Sequence, residues 1–155
     1  MIMIHKPEDF TPMRVAGRLA AEVLDFITPY VRPGVTTEAL DDLCHDFIVE
    51  RGAIPAPLNY RGFPKSICTS VNHVICHGIP GAKKLQEGDI VNIDVTVIVD
   101  GWHGDTSRMF MVGSKIGIKA KKLVDVTFEA LWRGIEQVKP GHTFGDIGHT
   151  IQQFV

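Results

Sequence analysis

Of the four aspartates in the stretch GDIVNIDVTVIVDGWHGDTSRMFMVG, residues 88–113, two, Asp94 and Asp105, stand inside segments that read as paired β-strands. A carboxylate in a half-buried strand is costly unless something pairs with it. Asp100-Gly101 is a strong two-residue turn signal. With that turn, Val99 faces Trp102, Asp94 faces Ser107 and Thr96 faces Asp105. Side chains alternate faces along a strand. Asp94 and Asp105 therefore share a face as diagonal neighbours, roughly 7–8 Å apart at the backbone, provided no bulge shifts the register. Asn92, Thr96, His103 and Ser107 fall on that face too, and Ile93, Val95, Val97 and Val99 point the other way, into a core.

Three chemistries fit two carboxylates on one polar face. The face can simply be solvated. The pair can share a proton as an acid/base dyad. Or it can hold a hard or borderline divalent cation, whose charge cancels the repulsion. Two aspartates do not close a metal site, and paired-ion hydrolases also use His and Glu ligands. His77, in VICHGIP, reads either as a hydrogen-bonded structural residue or as a donor to a substrate carbonyl or developing oxyanion. His103 is a further ligand candidate. Cys68 and Cys76 carry no nucleophile signature and read as small buried thiols. Tyr60 and Phe63 read as a lid on the core or as a pocket wall. His5, His45, His73, His142 and His149 fall on loops or helix surfaces and receive no site role.

The elements that position these groups follow from periodicity. Met13–Ile27 shows apolar residues at helical spacing, starting at Thr11-Pro12 or earlier, at Pro7. Thr36 suits an N-cap, Leu40, Leu43, Cys44, Phe47 and Ile48 give the next helix its apolar face, and Gly52 ends it. AIPAPLNYRGFP reads as loop, SICTSV and VIC as short strand pieces, 119–138 as a long helix, and the residues after KPGHTF as a last helix. VRPGVTTEALDDLCHDFIV (31–49) resembles VKPGHTFGDIGHTIQQFV (138–155), with Val, Pro, Gly and Thr at constant offset. That is either a common helix–PG–helix connection or a duplicated module.

Composition bounds the rest. The chain has 155 residues, 45% hydrophobic and 22% charged, which fits one globular domain. A net charge of −2 without a basic block does not suggest nucleic acid as a partner. Three cysteines without CxxC spacing argue for a reducing compartment. MIMIHKPEDF lacks a basic segment followed by a long apolar run and so does not read as a signal peptide, and no apolar run approaches a membrane span.

YRGFPKSICTSVNHVICHGIP, GDIVNIDVTVIVDGWHGDTSRMFMVG and VKPG closely resemble type I methionine aminopeptidases of the bacterial and organellar style. The likeness runs over essentially the whole chain. It implies an α/β (α+β) chain, the N-terminal half of a pita-bread (creatinase/aminopeptidase) fold: an antiparallel sheet with packed helices. Residues 1–155 then form one incomplete catalytic domain, with a first pseudo-repeat at about 7–113 and the start of a second at about 115–155. The implied activity is metal-dependent removal of the initiator methionine from nascent proteins when the next residue is small. By resemblance, Asp94 and Asp105 are metal ligands, and His77 is a catalytic residue that contacts substrate. Tyr60, Phe63 and Cys68 line the methionine pocket, Phe63 standing where some relatives carry Tyr.

Two divalent ions (cobalt, manganese, iron or zinc) are implied, with a monovalent cation near Asn72 and Val74. The family's other ligands, one His and two Glu, one of them the general base, have no counterpart here, so the chain is expected to be an inactive fragment. The resemblance also implies a cytoplasmic, usually monomeric protein that meets the ribosome transiently and has no specific nucleic acid or membrane partner. The rivals are a prolidase or aminopeptidase P relative and a non-catalytic binding module on the same fold.

Overall fold

An 18-residue amphipathic segment, Phe10–Ile27, forms the first helix, α1, and buries Ala16, Leu19, Ala20, Val23, Leu24 and Ile27 along one stripe. The computed structural model describes residues 3–155, so the first two residues of MIMIHKPEDF lie outside the description. A 3-10 turn over Pro7–Asp9 leads into α1, which settles the earlier of the two expected starts. The second helix, α2 (Thr37–Glu50), begins where Thr36 accepts a hydrogen bond from the Ala39 amide at 3.1 Å, as expected of an N-cap.

Four strands make one antiparallel sheet: β1 (Ile54–Pro55), β2 (Cys68–Val71), β3 (Ile90–Val99) and β4 (Trp102–Met111). β3 is the central strand. β4 runs along one of its edges, while β1 and β2 share the other, opposite Val97–Ile98 and Val91–Asp94 respectively. The turn joining β3 to β4 has positive φ at both Asp100 (49°) and Gly101 (83°), the type I′ signature that matches strand twist. The register is Val99↔Trp102, Thr96↔Asp105 and Asp94↔Ser107, with no bulge.

One face of the sheet is core. Val91, Ile93, Val95 and Val97 are fully buried there with Leu24, Ile27, Leu40 and Ile48 of the two helices. Gly104 brings β4 against α1: a methyl group at that position would collide with the Ala16 carbonyl. Arg108, on the same face, donates to Asp25 of α1 at 2.9 Å.

Local readings differ from the structure in three places. VIC is not a strand, because only Cys68–Val71 pairs and residues after Val71 turn away. Ile54–Pro55, read as loop, pairs with β3, and a two-residue edge is too short to show periodicity. The long helix α3 spans Ile118–Ile135, shorter at its C-terminal end than its apolar pattern suggested. The last helix, α4, runs Phe144–Phe154 from a capping box in which Asp146 accepts from the Thr143 amide at 2.6 Å. The chain divides into two units, residues 1–115, which hold the sheet with α1 and α2, and residues 116–155, which hold α3 and α4. In the second unit Ile147 and Ile151 of α4 pack on Gly134 of α3.

Candidate metal and substrate site

The polar face of the hairpin opens into a cleft of about 710 Å³. Asp94 and Thr96 reach it from β3, and His103 and Asp105 from β4. Cys68 enters from β2, where it pairs directly with Asp94 and so shares its face. Every residue that sequence reasoning assigned to catalysis, substrate or divalent metal lines this one cleft: Tyr60, Phe63, Cys68, His77, Asp94 and Asp105.

His77 reaches the cleft differently from expectation. It does not end a strand; it lies in the segment after β2 with φ of 53°, a left-handed conformation uncommon for a side-chain-bearing residue. The segment is folded back onto β2. The Thr69 amide donates to the Gly78 carbonyl at 2.8 Å, and the Gly78 amide donates to Ser70 Oγ at 3.2 Å. Glycine is required next to His77, since a Cβ at Gly78 would strike the Thr69 carbonyl. Cys76 is a correction: it is exposed, not a buried thiol, because the strand expected to bury it does not form. Cys68 is buried as expected, and its thiol is pushed up to about 11, first by burial and then by the charge of Asp94.

A second clasp holds the aromatic wall. Asp41 of α2 is 4% exposed and accepts from the Ser66 amide at 2.8 Å and the Ile67 amide at 3.0 Å. His45 Nδ1 lies 2.8 Å from Ser66 Oγ. These bonds tie the segment after Tyr60 and Phe63 to α2 immediately before β2 begins. The roles of Asp41 and His45 are not legible in the sequence, because their partners lie more than 20 residues away. Arg61 and Ile79 also line the cleft, and Ile79 stands inside the CHGIP motif, a sequence signal that points to it.

The electrostatics fit a cation. The Asp94 carboxyl is raised above its ordinary value, chiefly by burial and next by the negative charge of Asp105; His77 offsets part of this. A divalent ion between oxygen donors would reverse that penalty, so the two carboxylates suit a metal. Among the described residues no cluster of three or more His, Cys, Asp and Glu side chains is assembled. Asn72 and Val74 lie outside the cleft lining. Asn72 Nδ2 donates to Asp89 Oδ1 at 2.8 Å, and its Oδ1 accepts from the Ile90 amide at 3.0 Å, so the side chain is committed to the turn.

The profile of Metallopeptidase family M24 matches residues 11–155. The chain belongs to this metallopeptidase family. The family uses divalent metal ions, in keeping with the carboxylate pair. Among curated relatives, the chain is 64% identical over 153 residues to the methionine aminopeptidase of Rickettsia prowazekii, covering 99% of this chain and 59% of that protein. It is 58% identical over 156 residues to the methionine aminopeptidase of Escherichia coli K12, again covering 59% of the relative. The crystal structure of the Rickettsia prowazekii enzyme superposes with a TM-score of 0.97, covering 99% of this chain and 62% of that one. An Xaa-Pro dipeptidase from Bacillus anthracis, at 20% identity and a TM-score of 0.83, shares the fold alone. The fold is therefore that of the pita-bread peptidases, and the chain spans about three-fifths of the length of the relatives it matches. Among the described residues no helix is long and apolar enough to cross a membrane.

Proposed function

We propose that this chain forms one side of the active site of a methionine aminopeptidase that removes the initiator methionine when the next residue is small. The observation that carries the reading is the convergence of Tyr60, Phe63 and Cys68 with His77 and the two aspartates on one cleft. An apolar, partly aromatic wall beside a carboxylate pair suits an unbranched thioether side chain, which packs well against aromatic rings and sulfur. High identity to methionine aminopeptidases, against fold-level likeness to an Xaa-Pro dipeptidase, favours methionine over the X-Pro rival.

In this reading Asp94 and Asp105 hold the divalent ions. Bound metal supplies an activated water and polarises the peptide carbonyl. His77 donates a hydrogen bond to that carbonyl and to the charge it develops. The aromatic wall fixes the methionine side chain, and with it the scissile bond, against the carboxylate face. Cobalt, manganese, iron and zinc are all candidate ions, and the Asn72 and Val74 carbonyls are candidates for a monovalent cation. The first pseudo-repeat covers about 7–113 and a second begins at about 115, which the division of the chain at residue 115 supports. A cytoplasmic setting, transient contact with the ribosome and a monomeric full-length enzyme belong to the same proposal.

Because the chain spans about three-fifths of its relatives, we propose that it lacks activity by itself. The test is release of methionine from Met-Ala-Ser with manganese or cobalt, using the purified chain alone and the chain fused to the segment its relatives carry beyond it. The expected result is no turnover alone and turnover when fused. Turnover by the chain alone would overturn the inactivity, and fused protein that cleaves X-Pro but not Met-Ala peptides would overturn the specificity.

A further inference from the structure

A second cleft, of about 590 Å³, lies away from the aspartates and plays no part in the function proposed above. Its apolar lining comes from the buried Leu19 of α1 and from Val99 at the end of β3, with the half-exposed Val15 of α1 beside them. Its rim carries Arg14, Arg18 and Arg51. Arg14 and Arg18 are one helical turn apart on α1 and so project from one face. Arg51 comes from the far end of α2. Its guanidinium sits 3.3 Å from the Phe47 ring centroid and its Nη1 donates to the Phe47 carbonyl at 3.0 Å. That side chain is thus fixed in place with donors to spare.

Among the described residues none of these three arginines forms an ion pair, although Glu22 shares the cleft. Three arginines lining one cleft with a single carboxylate leave a local excess of positive charge in a chain whose net charge is −2. Guanidinium forks match the geometry of phosphate and carboxylate oxygens. Thr11, at the same rim, adds a hydroxyl donor.

We propose that this cleft binds an oxyanion, a phosphate ester or a carboxylate, carried on a small apolar body. The oxyanion takes the arginine rim and the apolar body takes the apolar lining. The test titrates the full chain, in chelator so that no metal at the aspartates competes for phosphate, with phenyl phosphate, phenylacetate and sodium chloride at matched ionic strength. The readout is the arginine Nε–H resonances together with calorimetry. Phenyl phosphate should saturate the Arg14, Arg18 and Arg51 signals, and R18Q combined with R51Q should weaken it at least tenfold. Saturation by phenyl phosphate alone assigns a phosphate ester, and saturation by both aromatic anions supports either oxyanion. Shifts that only track sodium chloride, or an affinity unchanged in folded R18Q/R51Q protein, would overturn the proposal.

Discussion

Asp94 is a cost to the metal-free protein. Its carboxyl is raised by burial and by Asp105, so the native state keeps its proton to higher pH than the unfolded chain does. Below the unfolded value both states are protonated and nothing is lost. As pH rises from there through the raised native value, the unfolded state ionises first and stability falls. Above that window the cost is constant. Asp94→Asn removes the ionisation, so in chelator at neutral pH its Tm should exceed that of wild type. The difference should shrink on acidification below the ordinary aspartate value. Manganese should raise the wild-type Tm and leave Asp94→Asn nearly unmoved. A site with a Kd on the order of 1 mM gains about 1.4 kcal/mol at 10 mM metal. Thermal scans from pH 3 to 8, with and without manganese, check both parts, and a wild type indifferent to manganese would count against the carboxylates as ligands.

At the scale of elements, the site depends on contacts that hold α1 and α2 to the sheet. Asp41 of α2 accepts two buried amides at the start of β2. Asp41→Ala leaves both donors unpaired, at about 1–3 kcal/mol for each buried group, so urea unfolding should show a loss of roughly 2–6 kcal/mol. Asp41→Asn keeps an acceptor oxygen and should lose less. Gly104 sits between Asp105 and His103 of the cleft on one side and the α1 backbone on the other. The Ala16 carbonyl cannot swing aside as a side-chain end could, so Gly104→Ala should cost about 1–3 kcal/mol and displace β4 relative to α1. The same denaturant curves measure it, and a neutral Gly104→Ala would show that the helix moves freely over the sheet.

At the scale of the whole molecule, residues 116–155 are rich in exposed apolar side chains for their length. Phe128 is 61% exposed, Trp132 51%, Val138 70% and Phe144 93%. Side chains of this size in contact with water favour association. The chain should bind a hydrophobic dye and elute above its monomer mass of 17.1 kDa in light-scattering chromatography, increasingly so with concentration. A monodisperse monomer that melts cooperatively and binds no dye would refute this.

The hairpin was legible from the chain alone. Its turn residues and strict alternation are local, period-two signals, and they set the register that places Asp94 and Asp105 together. The N-cap at Thr36 and the apolar stripe of α1 were legible for the same reason. Other features depend on distant partners. The backward fold of residues 72–78, which brings His77 to the aspartates in a left-handed conformation, rests on contacts with Thr69 and Ser70. The Asp41 clasp joins residues 25 and 26 positions apart, and the arginine cleft gathers side chains from α1 and α2 with Val99 of β3. Periodicity reports which way a side chain points within its own element. What it meets there is set by loop closure and packing between elements, which only the tertiary structure decides.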